Sequence, residues 1–274
     1  MTADRFRAED VAAFLKMAAA ENWVAEPWEF DFLLAKFPQG CFCMRDDSGK
    51  GIAFVTSLPH EKSGWIGNLI VAEGYRGRGY GEELFRKALE ALQAAGVETV
   101  WLTASETGRS LYEKYGFRPL DSIIRWVGNG RQRRPSCDMN SVSVTDAQSI
   151  ISIDSQGWGD RREHLLTAIA ARGRVVLEES GFIVAQGCGA AVQLGPFSTL
   201  DSGTAEVLFE TALRTIPLGT KVFLDAPVSN RPALRLFNRK GMRISGRNEL
   251  MFAGVKPDYR SEMLFGLATM GSCG

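Results

Sequence analysis

The feature that most constrains this chain of 274 residues is an internal repeat. Three segments of the first half recur in the same order in the second: residues 81–89 (GEELFRKAL) match 205–213 (AEVLFETAL), 100–104 (VWLTA) match 222–226 (VFLDA), and 111–117 (LYEKYGF) match 236–242 (LFNRKGM). Recurrence of several segments in a fixed order indicates two copies of one fold. The chain length is also typical of about two domains. The repeat therefore predicts two similar domains in tandem.

The first copy alternates between strand-like and helix-like segments. Apolar, β-branched runs predict strands, and apolar residues that recur every three or four positions predict helices. In chain order the predicted elements are helices at residues 9–20 and 27–37, strands at 41–45, 51–58 and 64–71, a helix ending at Gly96, a strand at 97–103, a helix at 106–115 and a strand at 117–127. This order predicts an α/β fold of the α+β type, with helices packed on a mixed sheet.

Glycines and arginines crowd the connection between the third of these strands and the following helix. Gly77, Gly79 and Gly81 allow the backbone to approach a ligand closely and to turn its amides toward it. Arg76 and Arg78 add positive charge beside those amides, and the first turn of a helix favours a bound anion. The segment therefore predicts a phosphate or pyrophosphate site.

Three nucleotide-type motifs compete for this loop, and their spacing separates them. A Walker loop ends in Gly-Lys-Ser/Thr, which is absent here. The dinucleotide fingerprint Gly-x-Gly-x-x-Gly differs from the observed Gly77-x-Gly79-x-Gly81, so NAD(P)-dependent oxidoreduction is a remote hypothesis. The third motif, Arg/Gln-x-x-Gly-x-Gly/Ala, is met by Arg76, Gly79 and Gly81.

This third motif resembles the acyl-CoA pyrophosphate loop of the GNAT superfamily of N-acetyltransferases. A second motif supports the resemblance, because residues 111–117 are similar to the Leu-Tyr-x-x-x-Gly-Phe end of the family's next helix. The resemblance implies an enzyme that transfers an acetyl group from acetyl-CoA directly to a primary amine. It also implies Tyr112 as the general acid that protonates the departing thiolate, with Tyr115 as a fallback. The residues that it assigns to acetyl-CoA are Leu69, Ile70, Val71, Arg76, Gly77, Arg78, Gly79, Tyr80 and Gly81.

The second copy departs from the first where this chemistry should lie. In an ungapped alignment Leu200 replaces Arg76, Asp201 replaces Gly77, and Phe237 replaces Tyr112. A carboxylate in the anion site repels pyrophosphate, so we expect acetyl-CoA to bind the first copy only. The arrangement resembles two-domain members of the superfamily, with a GNAT acetyltransferase domain at residues 1–128, a polar linker at 129–140 and a degenerate GNAT-like domain at 141–274. We expect the second copy to wall the acceptor cleft and to cover a sheet edge.

The sequence says less about the residues around the acceptor. Trp23 and Trp28, near the connection of the first two helices, either line an acceptor pocket or pack against the sheet. The base that deprotonates the amine stays open between a water relay and four acidic residues, Glu73, Asp154, Asp160 and Glu163. The sequence does not identify the acceptor: small amines, amino acids, an aminoglycoside and a protein amine all stay open, and a small molecule is favoured. A non-catalytic acyl-CoA-binding or sensing module is the alternative function.

Charge and composition argue against several classes of protein. Lysine plus arginine and aspartate plus glutamate each number 32, so no net charge attracts the protein to nucleic acid or to a membrane surface. The N-terminal residues MTADRFRAED lack the apolar pattern of a leader. Five cysteines without framework spacing fit a reducing compartment. These features predict a cytoplasmic protein. The direct transfer that the resemblance implies requires no metal, and we expect a monomer or homodimer.

Overall fold

The computed structural model describes residues 2–132 and 144–274 of the chain. The strands of the first half are β1 (Ala3–Arg5), β2 (Phe42–Arg45), β3 (Gly51–Pro59), β4 (Ser63–Val71), β5 (Thr99–Ala104) and β6 (Arg118–Asn129). Its helices are α1 (Val11–Ala20), α2 (Pro27–Lys36), α3 (Tyr80–Ala94) and α4 (Arg109–Lys114). Every strand and helix predicted for the first copy is present, and β1 is an additional edge strand.

The second half repeats this order of elements. Its helices are α5 (Val144–Trp158), α6 (Glu163–Ala170), α7 (Ser202–Thr215) and α8 (Arg231–Arg239). Its strands are β7 (Arg174–Glu178), β8 (Gly181–Cys188), β9 (Ala191–Thr199), β10 (Lys221–Pro227), β11 (Arg243–Gly254) and β12 (Leu264–Gly266). The predicted α/β class with a mixed sheet is confirmed.

Helix α3 illustrates how the sequence anchors the predicted anion loop. Leu84, Phe85, Ala88 and Leu92 are fully buried, and their spacing places them on one face of the helix. Burial of a leucine or phenylalanine side chain contributes about 1.5–3 kcal/mol to stability. This apolar face therefore fixes the start of α3 beside the end of β4.

The described strands form one continuous sheet in which the two halves exchange their last strands. The sheet has 12 strands in the order β1-β2-β3-β4-β5-β11-β6-β10-β9-β8-β7, with β12 paired to β9. Strand β11 pairs with β5, β6 pairs with β10, and β6 pairs with β11, all antiparallel. Since β5 and β6 correspond to β10 and β11 in the repeat, the exchange is reciprocal. The prediction that the second half covers a sheet edge is confirmed, and the edge that it covers is β5.

Tryptophans pack where the two halves meet. Trp158 of α5 contacts Trp65 of β4 with 6.2 Å between ring centroids and Trp101 of β5 with 5.5 Å, both edge to face. All three side chains are buried. Aromatic pairs of this geometry contribute about 0.5–1.5 kcal/mol beyond the area that they bury. The second half therefore helps to fix β4 and β5 at the point where they lie side by side.

Residues 133–143, which include most of the predicted linker, lie outside the described residues. Asn129 still belongs to β6, and the amides of Gly130 and Gln132 donate to the carbonyl oxygens of Thr220 and Ile216, each at 2.8 Å. The described start of the linker is thus part of the sheet region. The domain boundary after residue 128 stays a prediction. None of the helices within the described ranges is long and apolar enough to cross a membrane.

Candidate active site

The loop between β4 and α3 ends in an open helix N-terminus. Gly77 and Gly79 have φ angles of +72° and +83°, in the left-handed region where glycine carries little strain. Gly79 is the N-cap residue of α3, which begins at Tyr80, and no described side chain caps this helix. The amides of the first turn are therefore available to an anion. Residues 76–81, all assigned to acetyl-CoA from the sequence, lie together around this N-terminus.

Two exposed arginines flank these amides. Nε of Arg76 donates to the carbonyl oxygen of Val71 at 3.0 Å, and its Nη2 pairs with the carboxylate of Glu21. The guanidinium of Arg78 lies 5.4 Å from the centroid of the Tyr75 ring. An exposed ion pair such as Arg76–Glu21 contributes little to stability, so a phosphate can replace the carboxylate at small cost. Both cations are thus held beside the loop and accessible to a ligand.

Strands β4 and β5 separate after their first residues. The parallel pairs join Ser63, Gly64 and Trp65 to Thr99, Val100 and Trp101, and no later pair exists between the described parts of these strands. Asn68 has a φ angle of +56° and lies at a bulge where the register between β3 and β4 shifts. The two strands therefore open a gap beyond Trp65.

The backbone of β4 faces this gap at alternate residues. The amide of Ala72 donates to the carbonyl oxygen of Ile52 at 2.8 Å, so Ala72 and Ile70 direct their main-chain groups toward β3. Leu69 and Val71 consequently direct theirs into the gap. Of the three strand residues assigned to acetyl-CoA, Leu69 and Val71 can offer main-chain groups to a ligand, whereas Ile70 contributes a buried side chain.

A cavity of about 310 Å³ borders the gap and is lined by both halves of the chain. The first half contributes the connection of α1 to α2, the start of α2, residues 66–69 of β4 and Tyr112 of α4. The other walls come from Arg125 of β6, from residues 245–248 of β11 and from the C-terminal residues 269–272. The volume is that of a small-molecule site.

The C-terminal segment crosses the open gap. The amide of Asn68 in β4 donates to the carbonyl oxygen of Gly271 at 2.8 Å, and Oγ1 of Thr103 in β5 donates to the carbonyl oxygen of Met270. The segment therefore links the two strands where they no longer pair with each other. The second half thus walls a cavity at the gap, and the prediction that this cavity holds the acceptor stays a prediction.

Tyr112 reaches this cavity from α4. Its side chain is only 9% exposed, and its ring packs against Phe85 and Phe117 with centroid distances of 5.0 and 6.2 Å. Burial raises the pKa of Tyr112 to about 12, and its hydroxyl makes no hydrogen bond with the described residues. Tyr115, the fallback acid, does not line the cavity and instead donates from its hydroxyl to Glu82 at 3.1 Å.

The acidic residues considered from the sequence lie outside the cavity: Glu73, Asp154, Asp160 and Glu163. Asp154 is buried in a bidentate pair with Arg162 at 2.9 and 3.0 Å. Asp160 accepts the amide of Ser63 at 2.8 Å. Since none of the four lines the cavity, the suggestion that one of them faces the site is wrong.

Glu29 supplies the carboxyl group that sequence reasoning missed. It is the one aspartate or glutamate among the described residues that line the cavity, and it is 6% exposed. Burial raises the pKa of Glu29 to about 7, although the Ser272 side chain and the Glu26 amide lower it. The Glu26-x-x-Glu29 spacing indicates only a helix cap, which is also formed here. No sequence signal marks Glu29 as a cavity residue, because the residues opposite it come from the far end of the chain.

The two tryptophans of the α1–α2 region have different environments. Trp23 lines the cavity and is 43% exposed. Trp28 does not line it and packs instead against Phe32, with 6.4 Å between ring centroids, while the guanidinium of Arg172 lies 5.2 Å from its ring. Trp23 therefore lines the cavity, whereas Trp28 packs against the hydrophobic core. Packing of Trp28 against the sheet itself stays a prediction.

The second half lacks the anion loop. Strand β9 ends at Thr199 and α7 begins at Ser202, so only residues 200–201 connect this strand to its helix. The equivalent connection in the first half comprises residues 72–79. The ungapped alignment across this loop is therefore wrong in detail, since most of the loop has no counterpart. Asp201, which that alignment places within the anion site, lies instead at the start of α7.

Asp201 is the N-cap residue of α7. Its Oδ1 accepts the amide of Thr204 at 2.8 Å, and its Oδ2 accepts the hydroxyl of Ser180 at 2.7 Å. The hydroxyl of Ser180, followed by the Thr204 amide, lowers the pKa of Asp201 to about 2. The chain's own negative charge thus occupies the place that an anion would take.

The gap in the second half is also filled. Strands β9 and β10 pair only at Val192–Val222 and Gln193–Phe223, after which β9 pairs with β12 at Phe197–Gly266 and Ser198–Leu264. Trp65 in β4 and Gln193 in β9 are the last residues of these strands that pair with the neighbouring parallel strand. When residues are counted onward from these two positions, Leu69 and Val71 correspond to Phe197 and Thr199. The strand edge that is open in the first half is therefore covered by β12 in the second.

Comparisons with known proteins agree with this architecture. A model described as the acetyltransferase (GNAT) family matches residues 8–117, and a model described as an acetyltransferase (GNAT) domain matches residues 150–266. The chain belongs to the GNAT acetyltransferase family and carries one such domain in each half. Members of this family generally use acyl-CoA as the donor.

Three similar proteins place both halves in context. The holothin acyltransferase of Pseudoalteromonas sp. (strain SANK 73390) is 23% identical over 284 residues, which cover 93% of this chain and 92% of that protein. N-alpha-acetyltransferase MAK3 of Arabidopsis thaliana is 28% identical over 126 residues, 42% of this chain and 66% of that protein. A solved structure of a Pyrococcus horikoshii protein assigned to the acetyltransferases has a TM-score of 0.84 at 22% identity and covers 100% of this chain and 95% of that one. The predicted tandem fold is confirmed.

Proposed function

We propose that this chain is an acetyl-CoA-dependent N-acetyltransferase that acts on the primary amine of a small acceptor. Three features of the first half carry the proposal: the uncapped N-terminus of α3, the open edge of β4, and the unpartnered hydroxyl of Tyr112 within the described structure. They follow one another along β4, from the loop at its end to the cavity beside Leu69. This is the arrangement that a thioester donor with a pyrophosphate at one end requires.

The donor would be held by backbone groups and by two cations. We assign the pyrophosphate to the first-turn amides of α3 together with Arg76 and Arg78, because amides at a helix start and guanidinium groups are the preferred protein partners of phosphate. We assign the pantetheine arm to the main-chain groups of Leu69 and Val71. An amide from this edge that donates to the thioester oxygen would stabilise the oxyanion formed during attack.

Tyr112 would assist departure of the thiolate. In direct transfer the amine nitrogen bonds to the thioester carbon, the carbon–sulfur bond breaks, and the sulfur takes up a proton. With a pKa of about 12, Tyr112 stays protonated near neutral pH, so its proton is available to the thiolate. An ordinary thiol has a pKa of about 8.5, which alone would make full transfer unfavourable, but burial in the same cavity raises the pKa of the thiol as well.

The cavity supports a small acceptor and a short acyl group. Its volume of about 310 Å³ has to hold both the amine and the acyl carbons, which limits the size of each. The relative that aligns with nearly the whole chain is named for acylation of holothin. The named N-alpha-acetyltransferase aligns with 42% of the chain. We therefore favour a small acceptor over a protein N-terminus.

Turnover of acyl-CoA with a panel of amines tests this proposal. The full chain would be mixed with acetyl-, propionyl- or butyryl-CoA and with small amines, amino acids and peptides, and both thiol release and the acylated product would be measured. We expect acetyl transfer to at least one small amine at a rate above hydrolysis. Tight binding of CoA without product from any amine would instead support the acyl-CoA-binding module.

A further inference from the structure

The cavity contains a carboxyl group that the mechanism has not yet used. Among the described residues that line it, the ionisable side chains are Glu29, Tyr112, Arg125 and Arg247. Nε and Nη2 of Arg125 donate to both oxygens of Asp225 at 2.8 Å, and Nη2 of Arg247 donates to the hydroxyl of Ser122 at 2.6 Å. Arginines do not release protons in proteins, and Tyr112 stays protonated near neutral pH. Glu29 is therefore the group of this set that can take up a proton.

Glu29 is held in place by the start of α2. It is the third residue of this helix, and its Oε1 accepts the amide of Glu26 at 3.1 Å. The Ser272 side chain also hydrogen-bonds to this carboxylate. These two bonds use two of its roughly four lone-pair positions and leave the others for a ligand in the cavity. The side chain is 6% exposed, so little bulk water competes for those positions. The Glu29 carboxylate is therefore held in one position, is almost completely shielded from bulk water, and faces the cavity that it lines.

The surroundings bring the titration of Glu29 near neutral pH. Its pKa of about 7 results mainly from burial and is raised further by the charge of Glu26. The other titratable groups around it are Cys188 and Cys273, whose pKa values are raised in part by the Glu29 charge and which therefore stay neutral. Arg125 faces the same cavity from β6. A carboxylate of this kind is a stronger base than an ordinary glutamate and is still substantially ionised near pH 7.

We infer that Glu29 accepts the proton that the acceptor amine loses as its nitrogen bonds to the thioester carbon. This inference rests on the proposed function. The amine proton passes to the Glu29 carboxylate, the carbon–sulfur bond breaks, and the thiolate of CoA receives a proton from Tyr112. Attack then takes place between α2, which carries the base, and the open edge of β4, which holds the thioester. The acceptor is accordingly an amine small enough to enter between Glu29 and Leu69.

A purely structural role is the competing explanation, because Glu29 also completes the cap of α2. Glu29→Gln separates the two roles, since glutamine serves equally well in this capping position but cannot take up the proton. The matched control is Glu26→Gln. Glu26 belongs to the same cap, does not line the cavity, and contributes a charge that raises the pKa of Glu29.

The decisive measurement is the pH dependence of kcat between pH 5.5 and 9.5, with acetyl-CoA and the best amine of the panel. For the wild type we expect an acid limb with a midpoint near the pKa of about 7. Glu29→Gln should lose that limb and lower kcat by about 100-fold to 10,000-fold. Glu26→Gln should keep the plateau and shift the limb to lower pH. A Glu29→Gln enzyme that keeps the limb and a kcat within threefold of wild type would overturn the inference.

A second readout needs no acceptor. Because the pKa of Glu29 is raised from an ordinary value of 4.5 to about 7 in the folded protein, its contribution to stability is fully present below pH 4.5 and is lost as the pH rises through 7. Glu29→Gln should therefore gain in urea midpoint relative to wild type between pH 5 and 8.5. A constant difference would contradict the assigned ionisation and with it the inference.

The two proposals fail in different ways. Absence of any acyl transfer by the wild type would refute the proposed function, whereas turnover that does not depend on Glu29 would refute only this inference.

Discussion

Helices α3 and α7 occupy equivalent places in the repeat, but their N-termini are completed in opposite ways. The first follows a long glycine- and arginine-containing loop and has no side-chain cap among the described residues. The second follows a connection of two residues and is capped by Asp201. One helix leaves its positive end to a ligand, and the other satisfies it internally. Under the proposed function, a shorter loop and one carboxylate are enough to remove the anion site while the fold is retained.

The strands that precede these helices differ in the same sense. Beyond their parallel pairs, β4 leaves an open edge at Leu69 and Val71, whereas β9 is paired with β12. A strand in the gap of the second half leaves no backbone there for an extended ligand. Both differences concern features that we propose bind acyl-CoA in the first half, whereas the exchange of β6 and β11 concerns packing. The second half thus has the same fold without those features.

The largest expected effect comes from making the first half resemble the second at Tyr112, whose counterpart is Phe237. Tyr112→Phe keeps the ring and its packing but removes the hydroxyl that we propose donates a proton to the thiolate. We expect kcat to fall by about 100-fold to 10,000-fold while CoA affinity, measured by calorimetry, is unchanged. Tyr115→Phe is the control and should change kcat little, because that hydroxyl donates to Glu82 outside the cavity. A Tyr112→Phe enzyme within threefold of wild type would show that the hydroxyl is not the acid.

The next effect concerns the N-cap of α3. Gly79→Asp places a carboxylate at the N-cap of α3, the position that Asp201 occupies in α7. Repulsion between this carboxylate and the pyrophosphate, about 4 kcal/mol for unit charges 4 Å apart near a protein surface, should lower CoA affinity at least about 100-fold. Gly79→Asn is the matched control, since it has nearly the same shape, tolerates a positive φ angle and carries no charge. Calorimetry should find that the asparagine variant retains most of the affinity. Equal losses for both variants would attribute the effect to backbone strain and not to charge.

The smallest effect is expected at Asp201, where the cap supports structure alone. Asp201→Ala should lower the free energy of unfolding by about 1 kcal/mol at pH 7, and Asp201→Asn by less, because asparagine is also a good N-cap. Since the pKa of Asp201 is lowered from 3.8 to about 2, this contribution is present above pH 4 and is lost as the pH falls through 2. Urea unfolding as a function of pH measures it. Altered CoA affinity in Asp201→Ala would contradict a purely structural role.

The sequence predicts the parts of the site that depend on local chemistry. Glycines at positive φ, arginines beside them and a tyrosine on a short helix are visible in the order of residues, as is the repeat. The exchange of last strands was not predicted. β6 and β11 both have a strand pattern, and such a pattern indicates which residues form a strand but not which neighbour the strand takes. The continuous sheet follows from that choice of neighbour.

The residues of the cavity were predicted least well. Glu29 lies in a helix start whose sequence pattern is explained by capping, and its position in a site depends on the C-terminal segment near Ser272, more than 200 residues away in sequence. The missing loop in the second half was hidden for a different reason. The helices that follow the loop align well between the two copies, so an ungapped alignment extends through the loop without showing that residues are missing. The deletion becomes visible in the structure, where β9 ends at Thr199.

Calorimetric titration of coenzyme A into the full chain tests the central difference between the halves most directly. The first half has an open loop and an open strand edge, whereas Asp201 and β12 fill the equivalent places in the second half. This difference predicts one binding site per chain. Gly79→Asp should abolish that site, and Asp201→Ala should leave it unchanged. Two equivalent sites per chain, or one site that survives Gly79→Asp, would contradict the assignment of acyl-CoA binding to the first half alone.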